Sequence, residues 1–167
     1  MENNRLTVRQ IALFGVLGAM TFGAKFVMSY LPNIEPVSLF VMVMAVVMGV
    51  KALYPIYVYV ALEILVYGLG TWNFNYLYIW GILFLVSYGL RQIRNPLAWA
   101  ILSGVFGLLF GLLCAPVDMF IGGFSYAVAK WVSGIGFDLL HCAGNFVIAL
   151  VLFAPLRKIM TGLYQRI

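Results

Sequence analysis

Charge is what this chain has least of. Aspartate, glutamate, lysine and arginine make up 9% of its 167 residues and hydrophobic residues 65%, whereas a soluble domain is about a quarter charged and under half apolar. With so little polar surface the chain cannot be kept in water, so its solvent is the bilayer. Titratable groups are equally scarce: five acidic residues, one histidine and two cysteines. Asp138 and His141 offer two members of a catalytic set, but no serine or cysteine sits on a strained turn beside oxyanion donors. The chain therefore reads as a non-enzyme, with no catalytic residues and no cofactor. Cys142, the neighbour of His141, points about 100° away from it on a helix, which leaves no metal site. Cys142 and Cys114 both lie in apolar surroundings and read as small core residues. There is no Walker sequence, so any use of ATP must come from another polypeptide. A basic patch interleaved with polar residues is missing too, which excludes nucleic acid. No repeat, low-complexity tract or linker divides the chain, and residues 1–167 read as one integral-membrane domain.

What is present is a series of apolar runs punctuated by proline, glycine and basic residues. Mean hydropathy is +1.06. Spans need about 20 residues, fewer where helices pack on one another. Six are expected, near 8–30, 37–50, 53–68, 74–90, 97–115 and 137–156. The fold class is an all-α membrane protein with six transmembrane helices and a long outer loop, residues 116–136, before the last one. A helix running unbroken through that loop would far exceed a bilayer, and Gly134 and Gly136 are the expected break. The apolar start reads as a span rather than a cleaved signal. Arg5, Arg9, Lys51, Arg91, Arg94, Arg157, Lys158 and Arg166 fall at the tails or at every second loop. The positive-inside rule puts that side, and both termini, in the cytoplasm.

The last span carries the densest polar content. Asp138, His141 and Asn145 lie within roughly 60° of one another and cover about 10 Å of helix axis. Ionisable groups in hydrocarbon cost about 2.5–3.5 kcal/mol each even on insertion scales, so such a face meets a cavity or a partner. Lys25 in span one and Glu63 in span three lie about 10 Å and 8 Å below the outer surface. They either pair with each other or contact a ligand. The inner half has no such groups. A channel needs them throughout, so the pattern describes a pocket open to the outside with an apolar floor. Loop residues form its rim: Glu35 between spans one and two, and Trp72, Asn73, Asn75 and Tyr76 between three and four. The aromatic rings can stack on a flat heterocycle or simply anchor the interface. Glu63 and Asp138 favour a neutral or cationic ligand over a polyanion.

Small residues form two stripes, Gly15-Ala19-Gly23 in span one and Ser103-Gly107-Gly111 in span five. Such stripes let helix backbones approach closely. On span one, Lys25 points about 120° away from Ala19, so the stripe and the lysine face different neighbours.

Taken together, these features resemble the substrate-binding S components of energy-coupling factor (ECF) vitamin transporters. The resemblance rests on the six short spans, the span-one stripe and the loop Asn33-x-x-Pro36-Val37-Ser38. It also rests on Gly70-x-Trp72, and on Phe137-Asp138-Leu139-Leu140-His141 with Gly144-Asn145-Phe146. It implies a protein of the bacterial plasma membrane that captures a vitamin or precursor from outside. Such a protein docks on a transmembrane T component driven by two cytoplasmic ATPases. The family's docking motif, Ala-x-x-x-Ala, would fall on Gly15 and Ala19. Substrate would meet His141, Asn145, Asp138, Trp72, Asn73, Asn75, Tyr76, Glu63, Lys25 and Glu35. The competing class is a small membrane sensor or assembly factor with an aromatic-lined pocket and no transport partner.

Overall fold

A computed structural model describes residues 6–30 and 34–166, and they fold as an all-helical protein. The helices are α1 (Val8–Val27), α2 (Val37–Met48), α3 (Leu53–Tyr67), α4 (Thr71–Gly89), α5 (Pro96–Leu108) and α6 (Phe110–Tyr164). A single 3-10 turn, Gly49–Ala52, joins α2 to α3. Three stretches, Val8–Val27, Val37–Tyr67 and Pro96–Tyr164, are long and apolar enough to cross a membrane. Polarity is arranged to suit. Val16, Leu65, Phe120 and Val151 face outward, while Thr21, Glu63, Asp138, His141 and Asn145 are buried. Arg5, and the expected end of the first helix at Leu31-Pro32-Asn33, lie outside the described residues.

Local chemistry starts and stops the helices. Thr7 and Gln10 form a reciprocal capping box at α1: each side chain accepts from the other's backbone N–H, at 3.2 Å and 3.3 Å. Asn95 accepts from the backbone of Leu97, and Pro96 supplies a fixed φ at the first position of α5. α2 is apolar all round and lies at the centre against α4 and α6, with Val41 through Ala45 fully buried.

α1 packs on α3 through Phe14, Leu17, Gly18 and Thr21. The stripe Gly15-Ala19-Gly23 takes no part: Ala19 is exposed, and side-chain carbons built at Gly15 or Gly23 would meet nothing within 4 Å. The second stripe is internal, since α5 and the start of α6 run antiparallel to the later part of α6. Gly107 lies against the backbone of His141, where an added Cβ would come within 2.8 Å of it. Gly107→Ala is therefore expected to push the two helices apart and cost about 1–3 kcal/mol, as overpacking does. Thermal unfolding in detergent measures this, and an unchanged midpoint would remove the close packing.

Residues 116–136 are not a loop, and the chain does not break at Gly134 or Gly136. Both arms are helical, and the break is at Gly123, whose φ of 81° is a left-handed conformation that other residues avoid. The rest of α6, residues 124–164, runs about 60 Å at 1.5 Å per residue. The bilayer limits only a helix bathed in lipid. Here the far end of the long arm has a protein neighbour, the opposing arm, and the pairing of Lys130 with Asp118 ties the two together. Pro116 sits inside the outgoing arm rather than ending it.

Candidate functional site

The helix ends around Val27, Tyr67 and Thr71 surround a cavity of about 520 Å³, within the range of small-molecule sites. Six of the expected site residues line it: Lys25, Glu35, Glu63, Trp72, Tyr76 and His141. They arrive from four helices and a loop. Lys25 is in the last turn of α1, Glu63 comes from α3, Trp72 and Tyr76 from the first turns of α4, and His141 from α6. Glu35 reaches in from the segment before α2, where Ile34 lies against Gly144 of α6 and holds that segment to the helix. Tyr67 and Phe110 complete the aromatic wall, with Met28, Ser29 and Ile34 at the edge. None of these five stands out in sequence. An aromatic at a helix end has the same pattern whether it faces lipid or a cavity.

Lys25 and Glu63 do pair. The ammonium donates to Glu63 Oε2 at 2.8 Å and to the Tyr76 hydroxyl at 3.0 Å. Because the Tyr76 oxygen accepts from Lys25, its own proton is left to donate elsewhere. Two buried polar atoms on the wall have no hydrogen-bond partner among the described residues, Glu63 Oε1 and His141 Nε2. Buried polar atoms normally carry a hydrogen bond, so these two are suited to a ligand's polar groups. His141 Nε2 lies 3.8 Å from Glu35 Oε1, and its ring meets Phe110 edge to face at 5.0 Å between centroids. With Lys25 balancing one carboxylate, the cavity is neutral when Glu35 is protonated and singly negative when it is ionised.

Burial pushes the Glu35 carboxyl up from its ordinary value of 4.5 to about 7, with Lys25 opposing the rise and Glu63 adding to it. A carboxyl raised on folding binds its proton more tightly in the folded state. Its contribution to stability is therefore full below 4.5 and lost as pH rises through about 7. The ligand-free protein is expected to lose stability over that window, and Glu35→Gln to flatten the loss. Unfolding midpoints of both proteins from pH 4.5 to 8 test this, and parallel curves would clear Glu35 of the role.

Four expected residues lie elsewhere. Asp138 and Asn75 line a neighbouring cavity of about 390 Å³ that shares Trp72 as a wall. There Asp138 Oδ1 accepts from the backbone of Gly111 at 3.1 Å, and Oδ2 is buried without a partner. Asn75 Oδ1 accepts from the Tyr78 hydroxyl at 3.0 Å. Asn73 serves the start of α4, where its Oδ1 accepts from the backbone of Gly70 at 2.6 Å. Asn145 donates to Ser38 Oγ at 3.1 Å and faces the Ser103 carbonyl at 3.5 Å, tying α6 to α2 and α5. The polar face of α6 is thus shared among three neighbourhoods. His141 alone meets the larger cavity.

His141→Ala is expected to weaken binding of a ligand held in the larger cavity about two- to tenfold, the effect of one hydrogen bond. Asn145→Ala should instead lower the unfolding midpoint with affinity retained. Equal loss of affinity in both variants, measured by titration of the purified protein, would move the ligand deeper along α6. No family model matches the chain, and no curated protein or solved structure matches it.

Proposed function

We propose that this protein is the substrate-binding S component of an ECF-type vitamin transporter. It crosses the bacterial plasma membrane six times with both termini in the cytoplasm, and takes a vitamin or vitamin precursor from the outside. It then docks on a transmembrane T component driven by two cytoplasmic ATPases and releases the ligand inside. The observation that carries this reading is the 520 Å³ cavity, in which Lys25, Glu35, Glu63, Trp72, Tyr76 and His141 converge at one end of the bundle. Aromatic rings beside unpartnered acceptors suit a flat, neutral or cationic heterocycle. The stripe Gly15-Ala19-Gly23 supports a docking role, since Ala19 is exposed and side-chain carbons at the two glycines would meet no described residue within 4 Å.

The test is purification from native membranes in mild detergent, followed by mass spectrometry of both proteins and small molecules. A T-like membrane subunit, two ATPases and a stoichiometric heterocycle are expected. A protein that brings neither subunits nor any small molecule, from cells grown without the vitamin supplied, would defeat the proposal.

A further inference from the structure

The opposite end of the bundle holds a second charged concavity, which the transporter reading does not use. It has a volume of about 480 Å³ and is lined by Arg94, Arg157, Lys158, Thr161 and Gln165 above a floor that includes Phe153. No acidic side chain among the described residues lines it, and none of its three cations forms an ion pair with a described residue. Like charges gathered in one concavity repel, so something must hold them. Arg157 and Lys158 are adjacent on α6, and the segment bearing Arg94 is fastened to that helix through the Ile93 carbonyl. That oxygen accepts from Trp99 Nε1 at 3.1 Å and from Arg157 at 3.4 Å. The indole of Trp99 in turn stacks on Phe153, 4.6 Å between centroids and 11° from parallel. Arg157 is therefore positioned in advance of any anion, with Arg94 and Lys158 exposed beside it. The neighbouring start of α5 adds the positive end of a helix dipole, while the end of α6 opposes it by a comparable half charge.

We infer that this concavity binds a phosphate group, and that the phosphate is the headgroup of an anionic phospholipid in the surrounding leaflet. Guanidinium groups match phosphate oxygens with paired donors, and Lys158 adds a point charge. The Thr161 hydroxyl already donates to the Arg157 carbonyl at 2.8 Å, so its lone pairs face outward and the cations carry the recognition. The exposed apolar face of α6 beside the rim decides for lipid over free phosphate. Ala154 is exposed at the rim, and Val151 and Leu150, one turn away on the same face of α6, carry the charged rim into exposed apolar surface, as a phospholipid continues its headgroup into acyl chain. This inference is independent of the identity of the cargo and of any transport partner.

The full chain, delipidated in a neutral detergent, is examined by native mass spectrometry and thermal unfolding with three probes: phosphatidylglycerol, phosphatidylcholine and inorganic phosphate. Phosphatidylglycerol is expected to be retained in preference to phosphatidylcholine and to raise the unfolding midpoint. Arg94 and Lys158 make no hydrogen bond to the described residues, so Arg94→Gln and Lys158→Gln should fold normally. Each removes one charge-assisted contact and should weaken phosphatidylglycerol binding about tenfold. Stabilisation by inorganic phosphate equal to that by the lipid, lost in the same variants, keeps the phosphate site and overturns the lipid as its source. Equal retention of both lipids without a phosphate effect, or a preference that survives Arg94→Gln and Lys158→Gln combined, overturns the site.

Discussion

Lys25→Met is expected to destabilise the protein by about 3–5 kcal/mol, the usual cost of removing one partner of a buried ion pair. The Glu63 side chain is 1% exposed, and Lys25 supplies its one hydrogen bond among the described residues, at 2.8 Å. Without the ammonium, a carboxylate is left in an apolar bundle with neither counter-ion nor adequate hydration. The double variant Lys25→Met with Glu63→Gln should recover much of the loss, because two neutral groups of similar size need no mutual compensation. Unfolding midpoints of the wild type, both single variants and the double variant form the required cycle. If the single variants behave as the double one does, water in the cavity already solvates Glu63 and the pair contributes little. Ligand affinity should fall in each single variant as well, since the pair forms one wall of the cavity.

Ala19→Leu is expected to abolish uptake in cells and co-purification with a T component, while leaving ligand affinity of the isolated protein intact. Ala19 is exposed between Gly15 and Gly23, where an added side-chain carbon would meet no described residue within 4 Å. A leucine there costs the fold little. Against a docking partner, however, it would hold two backbones apart where small residues allow close approach. Isothermal titration of the purified variant, alongside uptake of radiolabelled vitamin, separates the two effects. Lost binding in an assembled complex would reverse the assignment and make the stripe internal packing.

Much of the architecture was legible because it depends on local chemistry. Thr7, Pro36, Gly49, Gly68 and Asn95-Pro96 stand at helix ends, and the expected boundaries of the first four helices fall within a few residues of those found. The shared depth of Lys25 and Glu63 could be read from helical rise alone, and they meet at 2.8 Å. The break in the last helical run could not be read that way. Gly134-x-Gly136 and Gly122-Gly123 are comparable breakers locally, and glycine inside a helix costs only about 1 kcal/mol. The pairing of the two arms, seen at Asp118–Lys130 and Gly107–His141, goes with a reversal at Gly123.

By itself, the sequence determined the solvent, the helical class and which groups are too polar to face lipid. Those properties follow from composition and from a period of about 3.6 residues, neither of which depends on distant parts of the chain. Only the tertiary structure decided what each polar group meets. Helical periodicity assigns a side chain to a direction, but the neighbour in that direction comes from another helix. Asp138, His141 and Asn145 share a face and still part company. Gly111 takes the first, the cavity the second, and Ser38 with Ser103 the third.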